Sequence, residues 1–517
     1  MSGTVWEMVA ANRAARAIGA PGRDWLAGPA LAALAVRVGA QLNAVGIGHG
    51  DRVAIVLPNG PEMASCFAAV ACCCTAAPLN PAYKSQEFEF YLSDLKPAAL
   101  ILADGDESPA RVVAARLGIA VIGLLHGPGE AGRFDLDTEA LPATPAARPG
   151  PALPDDIALV LHTSGTTARP KIVLLSNRNL AASAAHIADS LALGPDDTCL
   201  NIMPLFHIHG LIAAVLASLR AGASVCCTPG FNAFRFSEWL EAMRPTWYTA
   251  VPTMHQAILM RMRDRPEAAK AAGLRFIRSS SASLPPQVMA ELEEVFASPV
   301  VEAYGMTEAA HQMACNPLTG LRKPGSVGRA AGPEIAVLDE AGRLLPQGEI
   351  GEVAIRGPNV TPGYDNNPAA NAGAFAGGWF RTGDQGRIDA DGYLFLTGRL
   401  KEQINRGGEK ISPLEIDVVL LDHPAVQQAV TFAVPHAKLG EEVAAAVVLR
   451  EGAVATEAAI REMVAARLAA FKVPRRIVIL DEIPKGATGK VQRVGLAAKL
   501  GLVEAAGSVT MAPATAG

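Results

Sequence analysis

Cysteine is scarce in this chain, eight in 517 residues, and its placing suits no cross-linked scaffold: Cys72, Cys73 and Cys74 are contiguous, Cys226 and Cys227 adjacent, Cys66, Cys199 and Cys315 alone. No pair has zinc-finger spacing, so they read as small buried thiols. An excess of positive charge is missing too. Forty-five Lys+Arg face 50 Asp+Glu, for a net charge of −5, which leaves no bulk field to hold a phosphate polymer. Nucleic acid is therefore not an expected partner. No run is long and apolar enough for a bilayer span: the most apolar stretch, 64–79, is short and broken by Ser65, Thr75 and Pro78, and is expected as a buried helix. The first 25 residues lack a basic segment followed by an apolar core, and the last six match no retention or peroxisomal signal, so the expected location is the cytoplasm. There is no internal repeat.

What is present is a globular composition, 50% hydrophobic and 18% charged with mean hydropathy +0.24. At about 100 to 200 residues per domain the length allows two to four domains. Helical spacing over Leu31 to Val45, a Gly46 to Asp51 turn and an apolar run Val53 to Leu57 read as helix, turn, strand. The alternation recurs through Ala98 to Leu102, Ala120 to Leu125 and Ile157 to Leu161, with a proline-rich connection over Ala140 to Pro154. The fold class is α/β: a large N-terminal region, 1–398, of mixed, mainly parallel sheets with flanking helices. From Glu349 to Leu396 short alternating strands and Gly/Asp turns predict a β-rich subdomain, placed at about 325–398. A small α+β C-terminal domain follows over 403–504, and the small-residue tail 505–517 is expected to be flexible.

His162-Thr163-Ser164-Gly165-Thr166-Thr167-Ala168-Arg169-Pro170-Lys171 directly follows the run Ile157 to Leu161. Hydroxyls, a glycine that admits backbone amides and two cations make a cradle for a polyphosphate. No Gly-Lys-[Ser/Thr] opens a helix, so it is not a Walker A loop, and the plain alternative is a polar surface turn.

Four further segments accompany it in order: Tyr304-Gly305-Met306-Thr307-Glu308, Thr382-Gly383-Asp384, Gly398-Arg399-Leu400-Lys401-Glu402 and Pro484-Lys485-Gly486-Ala487-Thr488-Gly489-Lys490. With these five the chain resembles the acyl-adenylate-forming superfamily of acyl-CoA synthetases, adenylation domains and luciferases, from about Trp25 to Leu500. The resemblance implies attack of a carboxylate on the α-phosphate of ATP, loss of pyrophosphate, then displacement of AMP by the thiol of coenzyme A. It implies that the Thr163 to Lys171 loop, with Ser164, Gly165, Thr166 and Thr167, grips the phosphates. Thr307 would contact the α-phosphate, Glu308 would hold magnesium, and Lys490 would bridge carboxylate and phosphate. Asp384 would accept from the ribose, Arg399 would contact ribose or phosphate, and Tyr304 with Ser281, Ala282 and Ser283 would flank adenine. Lys401 lies in the family's hinge, 399–402, about which the mobile small domain would withdraw Lys490 and bring Arg406, Gly407 and Gly408 to coenzyme A. The plain reading of Gly407 and Gly408 is a tight turn before a helix opened by a Ser412 cap and Pro413.

The acid pocket is implied by His207, the family's common histidine, with His209 beside it, Ser280 and His311. Burying such groups unpaired against hydrocarbon costs about 1 to 3 kcal/mol each, so a small polar acid suits them better than a fatty or aromatic one. Their plain alternative is satisfied core or rim histidines. The segments around Phe206 to Gly210, Thr246 to Thr253, Glu302 to His311 and Asn405 to Pro413 look like the oxalate-CoA ligase branch. Alternatives are a malonyl-CoA or other short, medium or aromatic acyl-CoA synthetase, an adenylation module serving a carrier protein in trans, and a nucleotide-binding protein without catalysis. The Pro484-Lys485 lead-in resembles the setting in which bacterial relatives are acetylated, which implies an acetyltransferase and deacetylase acting on Lys490.

Overall fold

The computed structural model describes residues 3–127, 129–163, 170–486 and 490–502. Ser164, Gly165, Thr166 and Thr167 of the phosphate loop and the tail 505–517 lie outside the described residues. The chain divides into two compact units, Met1–Thr382 with Gly386–Leu396, and Gly383–Gln385 with Thr397–Gly517. The second unit begins near residues 399–402 and also takes in Gly383 to Gln385 of the strand Trp379–Ile388.

The first unit holds two large sheets. A seven-stranded sheet runs Phe134–Asp137, Ala120–His126, Ala99–Ala103, Arg52–Val56, Thr75–Pro78, Ile157–Thr163, Lys171–Ser176, parallel inside and antiparallel at both edges. An eight-stranded sheet runs Ile18–Gly19, Ser224–Cys227, Thr198–Asn201, Trp247–Ala250, Phe276–Ser280, Val300–Met306, His311–Cys315, Arg329–Ala330, and turns antiparallel only at its last two strands. One core joins them: Val53, Leu159, Val225 and Phe276 pack in the same cluster as Leu31, Phe67, Leu211 and Val215 from the helical layers. Continuous apolar strands fit parallel sheets covered on both faces.

The apolar stretch 64–79 is not one helix. The helix Pro61–Ala71 ends in a turn, and Thr75–Pro78 forms a strand in the centre of the seven-stranded sheet, where β-branched Thr75 and Pro78 end any helical continuation. All eight cysteines are free and buried, as expected. The subdomain is antiparallel where Glu334–Leu338 meets Gly351–Arg356 and where Phe375–Ala376 meets Trp379–Ile388. No described helix is long and apolar enough to cross a membrane.

The second unit is built on the strand Gly440–Leu449. Its residues alternate between two cores: Val443, Ala445 and Val447 pack with Ile416, Leu420 and Ile460, while Ala444, Ala446 and Val448 pack with Val430, Phe432 and Leu496. That is the period of two expected of a strand buried on both faces. The helix Pro413–Leu421 does start at Pro413, but the Ser412 side chain does not cap it; its hydroxyl donates to the Thr397 carbonyl.

Candidate active site

Tyr304 to His311 leaves the end of strand Val300–Met306, makes one 3₁₀ turn over Thr307–Ala309, and returns as strand His311–Cys315. The return is abrupt: Ala310 and His311 both have positive φ, 46° and 99°, a conformation that costs about 1 to 3 kcal/mol per non-glycine residue. The surroundings hold it there. Ser183 Oγ donates to the Ala310 carbonyl at 2.6 Å, and Asn359 Nδ2 donates to the carbonyls of Ala309 and Gln312 at 2.8 and 3.0 Å. A Cβ at position 305 would come within 2.2 Å of the His311 carbonyl, so only glycine permits the two strands to approach here.

The turn leaves Glu308 almost buried, its carboxylate accepting from the Tyr364 hydroxyl at 2.9 Å. Burial and this carboxylate push the Tyr364 hydroxyl pKa upward, so it stays a donor. Segment 361–365 is itself laid along strand Lys171–Ser176 through Val173 and Tyr364, and the Lys171 ammonium sits 4.4 Å from the Tyr364 ring centroid. Lys171, which ends segment 163–171, and Glu308 of the turn thus meet at one tyrosine. Thr163 faces Lys171 across the hairpin. Among the described residues no three His, Cys, Asp or Glu side chains cluster as a metal cage. A single carboxylate such as Glu308 fits a magnesium ion that takes its remaining oxygens from phosphates and water.

His209 and His311 lie side by side. His209 opens a wide π-type helical turn, His209–Leu216, and is fully buried; its ring stacks on that of His311, centroids 4.8 Å apart and 24° from parallel. His209 Nδ1 lies 3.0 Å from Ser281 Oγ and Nε2 lies 2.6 Å from Thr249 Oγ1. His207 stands beside them, its Nδ1 accepting from the His209 backbone N–H at 3.4 Å. Ser280, expected at the acid, is placed differently. It is fully buried, and its hydroxyl donates to the Ala303 carbonyl of the next strand at 2.8 Å. Ser281, just past the end of the strand at φ 77°, faces His209 instead. Ala282 and Ser283 are exposed, and Tyr304 is buried.

The second unit carries its own expected residues. Arg399 pairs with Asp384 at 3.1 Å. Arg406 pairs with Glu442 at 2.5 Å, next to a hairpin turn in which Gly407 and Gly408 adopt φ of 62° and 100°. Lys401 is exposed in a turn, and the Lys490 carbonyl accepts from the Gly486 N–H at 2.8 Å.

Sequence reasoning missed Arg278, Thr249, Gln312 and Tyr364. A signal existed for Arg278, a charge inside the apolar strand run Phe276-Ile277-Arg278 where charge is rarely buried. Tyr364 had none, being 56 residues from Glu308.

With this geometry in place, the comparisons with known proteins are specific. The AMP-binding enzyme family matches residues 6–365 and the AMP-binding enzyme C-terminal domain matches residues 415–490. The chain belongs to the AMP-binding enzyme family. It is similar to an oxalate–CoA ligase of Arabidopsis thaliana, 50% identical over 87% of this chain and 88% of that one, and to an oxalate–CoA ligase of Saccharomyces cerevisiae, 41% identical over 86% of each. Its fold is that of ATP-bound MatB from Rhodopseudomonas palustris, with a TM-score of 0.87 and 32% identity over 96% of this chain and 99% of that one.

Proposed function

We propose that the protein is an ATP-dependent acid–CoA ligase that adenylates oxalate and then forms oxalyl-CoA. The observation that carries the choice of acid is the polar cluster formed by buried His209 and His311 with half-buried Ser281, which offers donors to a second carboxylate. The two oxalate–CoA ligases among its relatives support the same reading.

In the first half-reaction a carboxylate oxygen of the acid attacks the α-phosphorus, and the bond to pyrophosphate breaks. Negative charge gathers on phosphoryl oxygens, where Thr307 supplies a hydroxyl donor and Lys490 a cation. Magnesium, when bound, would neutralise polyphosphate charge, with Glu308 as its protein ligand, oriented by the Tyr364 hydroxyl. Asp384 would take the ribose hydroxyls and Arg399 would bear on ribose or phosphate. In the second half-reaction the sulfur of coenzyme A attacks the acyl carbon, the bond to AMP breaks and the thiol proton passes to solvent. Arg406, Gly407 and Gly408 would serve that step, after rotation at Lys401. Eight free, buried thiols suit a reducing compartment, and we place the enzyme in the cytoplasm. Acetylation of Lys490 would remove its phosphate contact; mass spectrometry of the protein from cells tests that modification, and a lysine never found acetylated dismisses it.

The test is acid-dependent pyrophosphate release with ATP and magnesium, with and without coenzyme A, across oxalate, malonate, acetate, octanoate and coumarate. Oxalate should dominate. A preference for octanoate or coumarate would overturn the polar pocket, and release with no acid would overturn the ligase itself.

A further inference from the structure

Arg278 is the most unusual charge in the protein. It lies in strand Phe276–Ser280, has no solvent exposure, and among the described residues finds no carboxylate partner. Its guanidinium touches neutral groups only. One Nη donates to Gln312 Oε1 at 3.1 Å, the other lies 3.4 Å from both His209 Nε2 and Thr249 Oγ1, and Nε has no partner. The nearby thiols Cys199 and Cys315 supply no anion, since burial pushes both upward, Cys315 to about 11. Desolvation lowers the Arg278 pKa to about 10, which still leaves it charged at neutral pH. A buried cation without an anion is strongly unfavourable, and a fold that needs it only for packing would be served better by an apolar side chain of the same volume.

The neighbours hold this cation in one orientation. Gln312 Nε2 donates to Ser190 Oγ at 3.0 Å and to the Ala331 carbonyl at 3.2 Å, which fixes Oε1 toward Arg278. A guanidinium N–H only donates, so its contact with His209 Nε2 favours the tautomer in which Nε2 accepts and the imidazole proton sits on Nδ1. That proton goes to Ser281 Oγ at 3.0 Å, leaving the Ser281 hydroxyl hydrogen to point away from His209.

We infer that Arg278 is the positioning residue that makes the pocket select an acid with a second negative charge, by supplying the pocket's buried positive charge and by fixing the His209 tautomer that aims a Ser281 hydroxyl at the substrate. The inference rests on reading this cluster as the site for a small diacid. It assigns the attraction for the second carboxylate to a group that does not touch it, and assigns the direct hydrogen bond to Ser281.

The decisive comparison is oxalate against glycolate, which is of similar size but carries one carboxylate. In Arg278→Met the kcat/KM for oxalate should fall roughly 30- to 100-fold, the loss expected when one charge acting at about 8 Å through protein is removed. For glycolate it should stay within about threefold, the KM for ATP should be unchanged, and Arg278→Lys should recover about tenfold of the oxalate loss. Equal loss on both acids in a variant of native melting temperature would overturn the inference, as would an undiminished oxalate preference. Should Arg278→Met fail to fold, Arg278→Lys decides. A tenfold loss confined to oxalate supports the inference, and an equal loss on both acids refutes it. The wild-type enzyme separates this failure from that of the parent reading: no activity on oxalate or any other diacid refutes the diacid site itself, whereas oxalate activity that ignores Arg278 refutes the inference alone.

Discussion

Two arginines, one in each unit, are treated in opposite ways: Arg278 is fully buried, whereas the Arg493 side chain keeps 15% of its exposure. Arg493, in the second unit, pairs with Asp417 at 2.6 Å and Glu402 at 3.4 Å and donates to the Thr431 carbonyl at 3.0 Å. Arg278, in the first, has only neutral partners. Arg493 ties the segment after Lys490 to Glu402 and to the helix Pro413–Leu421, and the fold supplies the anions. Where the fold declines to do so, an anion from outside has a reason to bind. A cation's counter-charge inventory therefore separates scaffolding from recognition better than its burial does.

The largest effect expected along this divide is at Lys490, whose charge we propose acts on the reacting phosphate. Lys490→Ala should lower adenylate formation at least 100-fold while leaving thioester formation from supplied acyl-adenylate nearly intact; equal loss of both half-reactions would remove the separation of roles. Next come opposite stability signs for the two arginines. Arg493→Met leaves Asp417 buried and unpaired and should cost about 3 kcal/mol in denaturant unfolding, whereas Arg278→Met should be neutral or stabilising. Matching losses would erase the comparison.

A third test uses the buried carboxyl of Glu302, in the strand beside Arg278. Burial raises its pKa from 4.5 to about 8; one oxygen accepts from the Leu284 N–H at 2.8 Å and the other has no partner. The folded state binds the extra proton, so stability should fall as pH rises from about 4.5 to about 8, and Glu302→Gln should flatten that slope in melting experiments. The smallest effect is at Tyr364. Tyr364→Phe removes one donor to Glu308 and should raise the magnesium concentration for half-maximal adenylation about three- to tenfold, with the KM for acid unchanged.

Much of the architecture was legible in the sequence because it is local. The Leu31 to Val45 periodicity, the Val53 to Leu57 run and the Asp389 to Gly392 turn each report on their own residues, and the structure follows them. The stretch 64–79 failed because a buried helix and a buried central strand are equally apolar, and only the turn at 72–74 separates them. In the pocket His209 and His311 were identified by residue type and resemblance. Ser280 was expected at the acid because no residue type records that the strand ends there and that Ser281, at positive φ, turns toward His209. Thr249 and Gln312 were invisible because their meaning lies in pairing across strands far apart in sequence.

The cysteines have a consequence for the intermediate itself. An acyl-adenylate is a mixed anhydride of a carboxylic and a phosphoric acid that will acylate any accessible thiolate. All eight thiols of this chain are buried, and for Cys66, Cys72, Cys199, Cys226 and Cys227 burial raises the pKa far from neutrality. The enzyme makes a thiol-reactive compound while presenting no sulfur nucleophile of its own, so self-acylation is suppressed and coenzyme A has no internal competitor.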